Sequence, residues 1–301
     1  MILPLQVGDK VAIVALARKV DFDLITPAIQ ILESWGLEVI LGETVYASYH
    51  QFAGPDATRL ADFQTMLNNS EIKAIFSARG GYGTTRLLDK IDFTHFRSQP
   101  KWLIGFSDIT ALHSHVHNLG TESIHGTMPA LFSKMGTEKA VESLRKILFG
   151  EAITYHCSSH ELNKAGSAEG VLIGGNLSLL ATCIGTASDI DTTGKILFLE
   201  DLDEYLYHID RMMVQLDRAG KLKNLAGLLV GDMSDMKDNT IPFGKNAYEI
   251  IQEHINQYSF PVAFGFPTGH EPENLALVCG RPTRLAVTNA GTFLDYLTPI
   301  N

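Results

Sequence analysis

The sequence predicts an α/β protein in two parts. These are a parallel-sheet N-terminal domain over residues 1–145 and a β-rich α/β C-terminal domain over residues 167–301. Three observations predict this. Through residues 1–130, short apolar runs alternate with single helix-length segments, the pattern of right-handed βαβ units in a mainly parallel sheet. Residues 146–166 lose that rhythm and turn polar and irregular, which marks a linker region. Beyond them strands are more frequent and the chain closes on a hairpin pattern.

Each element has its own signal. Lys10–Ala15 is a β-like run. Residues 24–35 put Ile25, Ala28, Ile29 and Leu32 on one helical face, and Gly36 ends that helix. A short strand follows at 38–41, an amphipathic helix at 57–67 and a strand at Ala74-Ile75-Phe76. The apolar run Trp102-Leu103-Ile104 then leads through Gly105-Phe106-Ser107-Asp108 into a helix over 109–119, and residues 133–149 look like another helix. In the second part, Glu169–Ile173 enters Gly174-Gly175-Asn176 and a packed helix over 177–184. Lys195–Leu199 is a strand that ends at Glu200-Asp201. Residues 209–219 form a helix with Gly220 at its C-cap, 225–230 a strand and 248–256 a helix. Residues 283–287 and 292–297 flank Asn289-Ala290-Gly291 as a hairpin.

Composition narrows the function classes. With 301 residues, 45% hydrophobic and 19% charged, the chain suits a folded globular core. A formal net charge of -10 argues against non-specific nucleic-acid binding, which needs a basic face. The three cysteines, Cys157, Cys183 and Cys279, are far apart, without metal-ligand spacing or a disulfide framework, and read as reduced thiols in a cytoplasmic protein. The start, Met1-Ile2-Leu3-Pro4-Leu5, lacks the pattern of a secretory leader, and no run of eighteen apolar residues suggests a membrane span.

Ser107 stands at a strand-to-helix turn, where a hydroxyl is lifted clear of the backbone and the helix start offers free N–H groups. A serine there can equally be a plain helix N-cap. Glu200 emerges from a buried strand, placed to orient a histidine, or else lies exposed in a turn. His270 sits in Pro267-Thr268-Gly269-His270-Glu271-Pro272, a loop fixed by Gly and Pro, as a base, a ligand or a surface histidine. The order nucleophile, acid, base also occurs in α/β-hydrolases, although position 109 is isoleucine and GxSxG is absent. Arg79-Gly80-Gly81-Tyr82-Gly83 follows a strand, and its glycines let backbone N–H groups approach a ligand. An oxyanion donor, a phosphate loop and a plain turn all remain open for it, although the Walker A pattern and GxGxxG are both missing. On a helix His113 and His117 share a face while His115 points away; no HExxH accompanies them, so packing or pocket lining is read over metal binding. His125-Gly126-Thr127 follows a short strand toward the same cleft.

Taken together these pieces resemble the LD-carboxypeptidase family, the S66 serine peptidases, which also contains microcin-immunity peptidases. The matches run nearly end to end. They include Pro4-Leu5 with Gly8-Asp9, Ala78-Arg79-Gly80-Gly81-Tyr82-Gly83, Ile104-Gly105-Phe106-Ser107-Asp108-Ile109-Thr110 and His125-Gly126. They continue through Gly174-Gly175-Asn176-Leu177, Leu197-Phe198-Leu199-Glu200-Asp201, Ile209-Asp210-Arg211-Met212, Gly231, and Gly269-His270 with Asn274. The resemblance implies a flavodoxin-like N-terminal domain, a β-rich C-terminal domain and a site between them. It also implies a cytoplasmic homodimer that removes the terminal D-alanine of murein tetrapeptides in cell-wall recycling. Carried over, it makes Ser107 the nucleophile, Glu200 the orienting acid, His270 the base, and the backbone N–H groups of Gly81 and Asp108 the oxyanion donors. It implies no metal or organic cofactor, no nucleic acid and no membrane partner. Arg79 and His125 are substrate-binding candidates, Arg79 for the terminal carboxylate. Two segments depart from the family pattern: Ala15-Leu16-Ala17 replaces the frequent Ala-Pro-Ser, and Leu277-Val278-Cys279-Gly280 replaces Leu-Pro-x-Gly. They leave muropeptide and peptidyl-nucleotide substrates both open. A non-catalytic α/β binding module and a phosphate or nucleotide enzyme are the rivals from other classes.

Overall fold

The computed structural model describes residues 2–298. The N-terminal half contains β1 (Lys10–Val14), α1 (Phe22–Ser34), β2 (Glu38–Leu41), α2 (Asp56–Asn68) and β3 (Ile72–Ser77). It continues with α3 (Thr94–Ser98), β4 (Trp102–Gly105), α4 (Thr110–Asn118), β5 (Ser123–His125) and α5 (Glu138–Leu148). The C-terminal half adds β6 (Thr154–Cys157), β7 (Gly166–Asn176), α6 (Leu177–Cys183), β8 (Ile196–Leu202), α7 (Leu206–Arg218) and β9 (Gly227–Ser234). It closes with α8 (Ala247–Ile255), β10 (Val262–Phe264), β11 (Leu277–Cys279), β12 (Pro282–Thr288) and β13 (Gly291–Tyr296).

The first sheet has the order β11-β5-β4-β3-β1-β2. β1 to β5 run parallel, in the flavodoxin-like order, and β11 joins antiparallel to β5. The near-continuous apolar strands follow from burial on both faces. One face packs on α1 and α5 through Val11, Ile13, Leu32 and Leu144, the other on α2 and α4 through Val14, Phe63, Leu103 and Leu112. The second sheet has the order β10-β9-β8-β7-β12-β13-β6. Its β7–β10 portion is parallel, and β12, β13 and β6 extend it antiparallel.

The structure differs from the sequence reading in three informative places. The stretch expected as linker, 146–166, contributes β6, so part of it is sheet. The Leu277-Val278-Cys279 segment crosses back and pairs with β5 of the first sheet. The strand carrying Glu200 does not end there but runs through Leu202, with a register shift against β9 between Leu199 and Asp201.

The halves meet directly behind Ser107. The Asn176 N–H donates to Thr110 Oγ1 at 2.9 Å, in a fully buried position. Gly175 has φ +139, and a Cβ on it would stand 2.4 Å from that hydroxyl, so only glycine lets β7 approach α4 this closely. Asn176 also caps α6 through Leu179, and Asp201 accepts from Asn176 Nδ2 and from the Ser178 N–H. The Gly-Gly-Asn motif is thus a joint between the two sheets.

Candidate active site

Ser107 leaves β4 with φ +61, one of four non-glycine residues with positive φ among those described. For a side chain with a Cβ this conformation costs about 1–2 kcal/mol, and the packing of β4 and α4 holds it. The hydroxyl caps neither the short turn of 3-10 helix at Ser107–Ile109 nor α4. The sharp turn, rather than helix capping, accounts for its position. His113 steadies the turn from below: its Nε2–H donates to the Gly105 carbonyl at 2.8 Å, and its Nδ1 accepts from Ser123 Oγ. Burial pulls His113 down to about 4, so this ring is neutral at ordinary pH.

The glycine loop lies against the serine. A Cβ on Gly80 would meet Ser107 Cβ at 3.2 Å and Oγ at 3.4 Å. Gly81 has φ +116. The N–H groups of Gly81 and Asp108 donate to no protein acceptor among the described residues. The Asp108 side chain joins the two segments, since its buried Oδ2 accepts from the Thr84 N–H at 2.8 Å. From the other side, fully buried Arg59 donates to the carbonyls of Leu16 and Gly83 and pairs with Asp56. Sequence reading assigned Asp108 only a backbone role and missed Arg59; both depend on loop packing that no local spacing reveals.

On the C-terminal side, His270 Nδ1–H donates to Glu200 Oε2 at 2.7 Å, and Glu200 is fully buried. Burial pulls the imidazole down, but the Glu200 hydrogen bond and charge outweigh it, so His270 stays above its usual 6.5. With Nδ1 engaged, Nε2 is the ring nitrogen free for proton transfer. The ring rests edge-on against Phe106, centroids 4.9 Å apart, which brings His270 beside the Ser107 turn. Ser107 and His270 share no hydrogen bond in this structure. Such catalytic bonds are often long without substrate.

Local backbone explains this placement. The irregularity in β9 around Gly231-Asp232 faces Glu200, and such bulges re-aim side chains next to active sites. Gly269, at φ +139, passes so close that a Cβ would stand 3.0 Å from Asp232 Cβ and 3.1 Å from Glu200 Cβ. Asn274 accepts from the Gly269 N–H, and Ser234 Oγ donates to Glu271, so both sides of the His270 loop are tied. Asp232 is pushed up to about 7 by burial, with the Glu271 and Glu200 charges adding to it, although a backbone hydrogen bond and His270 oppose this. Burial and Glu200 likewise push Asp201 up to about 7.

Of the two substrate-binding candidates, Arg79 is half-buried beside Gly80 and pairs with no acid among the described residues. His125 is fully buried, its ring between Phe106 and Phe198, and burial holds it well below 6.5. It supports the site from behind and does not reach into the cleft. His113 and His115 are spent on internal hydrogen bonds, His115 with Ser188.

The LD-carboxypeptidase N-terminal domain profile, Peptidase_S66, matches residues 11–126, and the LD-carboxypeptidase C-terminal domain profile, Peptidase_S66C, matches residues 169–285. A probable murein peptide carboxypeptidase of Bacillus subtilis is 38% identical over 92% of this chain and 88% of its own length. The crystal structure of muramoyltetrapeptide carboxypeptidase from Oxalobacter formigenes superposes with a TM-score of 0.87 at 30% identity, covering 95% of this chain and 98% of that one. The microcin C7 self-immunity protein MccF shares the fold, with a TM-score of 0.88 at 22% identity over 99% of both chains. Together these matches define a serine-type carboxypeptidase, a hydrolase. The chain belongs to the LD-carboxypeptidase family, peptidase S66.

Proposed function

We propose that this protein hydrolyses the amide bond between an L-centre and the terminal D-alanine of a murein tetrapeptide, with Ser107, Glu200 and His270 as its catalytic residues. The observation that carries the reading is the buried 2.7 Å Glu200–His270 pair packed beside a serine in the left-handed conformation. The names of the Bacillus and Oxalobacter relatives support the substrate class.

His270 Nε2 takes the Ser107 Oγ proton as the oxygen attacks the scissile carbonyl, and Glu200 holds the ring in the tautomer that leaves Nε2 free. The oxyanion collects the N–H groups of Gly81 and Asp108. His270 then protonates the departing D-alanine nitrogen. Water, deprotonated by the same imidazole, cleaves the acyl-enzyme and restores Ser107. On this reading residues 1–145 form the nucleophile domain, 146–166 the connection, and 167–301 the domain of the acid and base. Three free cysteines support a reducing cytoplasmic setting. No helix among the described residues is long and apolar enough to cross a membrane. A homodimer is the assembly the family resemblance favours, and sedimentation tests it.

The experiment is mass-spectrometric detection of D-alanine released from murein tetrapeptide by the wild-type protein and by Ser107→Ala. Release by the wild type alone supports the proposal. Release by both sinks the role of Ser107. A peptidyl-nucleotide amide assayed in parallel, if cleaved faster than the muropeptide, replaces the substrate assignment.

A further inference from the structure

We propose that Arg18 binds the substrate's terminal carboxylate and so makes this hydrolase act on chain ends. The proposal rests on the hydrolysis at Ser107 proposed above. Its starting point is the topology. In the order β2-β1-β3-β4, the strand connections diverge on either side of the β1/β3 boundary. Ligands of doubly wound sheets bind beyond the carboxyl ends of the strands at that switch point. The chain leaving β3 there reaches Gly81, the proposed oxyanion donor. The chain leaving β1 passes buried Ala15, Leu16 and Ala17, and its first exposed residue is Arg18.

The side chain of Arg18 is laid along that donor. Its Cβ, Cδ and Cγ stand 2.9, 3.3 and 3.6 Å from where a Cβ on Gly81 would be. The guanidinium carbon lies two bonds beyond Cδ, so the fork is within about one residue's length of the oxyanion loop. A terminal carboxylate is also one residue, about 3.3–3.6 Å of extended chain, beyond the scissile carbonyl. A reach of that length suits cleavage of the last residue.

The backbone under Arg18 is fixed. Arg18 bridges Phe52, the Lys19 N–H donates to the Gln51 carbonyl, and the Ala53 N–H donates to the Ala17 carbonyl. Its charge is unspent. Neighbouring Arg59 and Arg86 both pair with Asp56, whereas Arg18 has neither hydrogen bond nor ion pair among the described residues. The opposite side of the site carries the acids Glu200 and Glu271, which disfavour a carboxylate there. In a chain of formal charge -10, a free guanidinium at the switch point sets which way the substrate lies. Its planar fork suits a carboxylate held through two parallel hydrogen bonds.

The test compares a tetrapeptide ending in free D-alanine with the same peptide ending in D-alanine amide. It uses wild type, Arg18→Ala, Arg18→Lys and Arg79→Ala, and reads kcat/KM. Wild type prefers the free acid. Arg18→Ala loses about 10- to 100-fold on the acid and nothing on the amide, so the preference collapses, and Arg18→Lys falls between. A preference that survives in Arg18→Ala overturns the proposal, and so does an equal loss on both peptides or a collapse produced by Arg79→Ala instead. If wild type cleaves neither peptide, the Ser107 reading fails instead, and the two failures are distinguishable.

Discussion

The N-terminal side of the site is shaped by backbone and the C-terminal side by buried charge. Ser107 at φ +61, Gly81 at φ +116 and two unengaged amides do their work through main-chain conformation. Across from them, Glu200 and His270 form a buried carboxylate–imidazole pair, and burial raises the proton affinity of neighbouring Asp232 and Asp201. The difference teaches that the two sides fail differently. Backbone donors survive most side-chain changes, whereas a charge cluster answers every substitution with a change in proton affinity.

The largest effect separates hydroxyl from turn. Ser107→Ala and Ser107→Gly both lose at least about 10⁴-fold in kcat. Chemical denaturation nevertheless finds the glycine variant more stable than the alanine variant by about 1 kcal/mol, because only glycine is at ease with positive φ. Equal stabilities would mean that the turn is not strained.

Glu200→Gln comes next, with a loss of about 10³–10⁴-fold in kcat/KM. The neutral imidazole is the active form, so wild-type activity rises with pH through a value above 6.5. With the carboxylate gone, burial dominates and that limb moves to lower pH. The stability linkage has the matching sign. The Glu200–His270 contribution is complete below 6.5 and disappears as pH rises through the raised folded value, so wild type and Glu200→Gln converge in stability at alkaline pH.

Asp108→Ala breaks a side chain that joins the Ser107 turn to the glycine loop. It leaves the Thr84 N–H without its acceptor, at about 1–3 kcal/mol of stability, and lowers kcat about tenfold. Asp108→Asn, which can still accept, retains most of both. Urea denaturation and steady-state kinetics on the pair check this. The smallest effect is that of Asp232→Asn. It removes a carboxylate that faces His270 and lowers the activity limb by less than about one pH unit, with little change in the plateau. A plateau loss as large as that of Glu200→Gln would make Asp232 a partner in proton transfer and erase the contrast between the two sides.

The elements were legible wherever one periodicity governed. The helical face of Ile25, Ala28 and Leu32, the apolar run at Trp102 and the hairpin around Asn289-Ala290 all lie where the pattern puts them. What escaped depends on a distant partner. Leu277-Val278-Cys279 stands out in the sequence only as a departure from a family pattern, and its membership of the first sheet is decided by β5. Glu200 reads as the end of a strand because the irregularity that aims it lies in β9. Arg18 and Arg59 carry no local motif at all; their positions follow from how the chain folds around Phe52 and Gly83. Ser107, Glu200 and His270 stood out as candidates for the opposite reason, since each sits among short, unusual Gly- or acid-bearing strings.

The return of β11 to the first sheet also has a consequence during synthesis. The N-terminal half leaves the ribosome with the β5 edge bare, and its closing strand emerges only after β6 to β10 have been made. His270 emerges just ahead of that strand. Until then the nascent chain exposes an edge open to unwanted pairing and holds Ser107 without His270 beside it. Completing the edge and bringing His270 to Ser107 are therefore nearly the same event, late in translation.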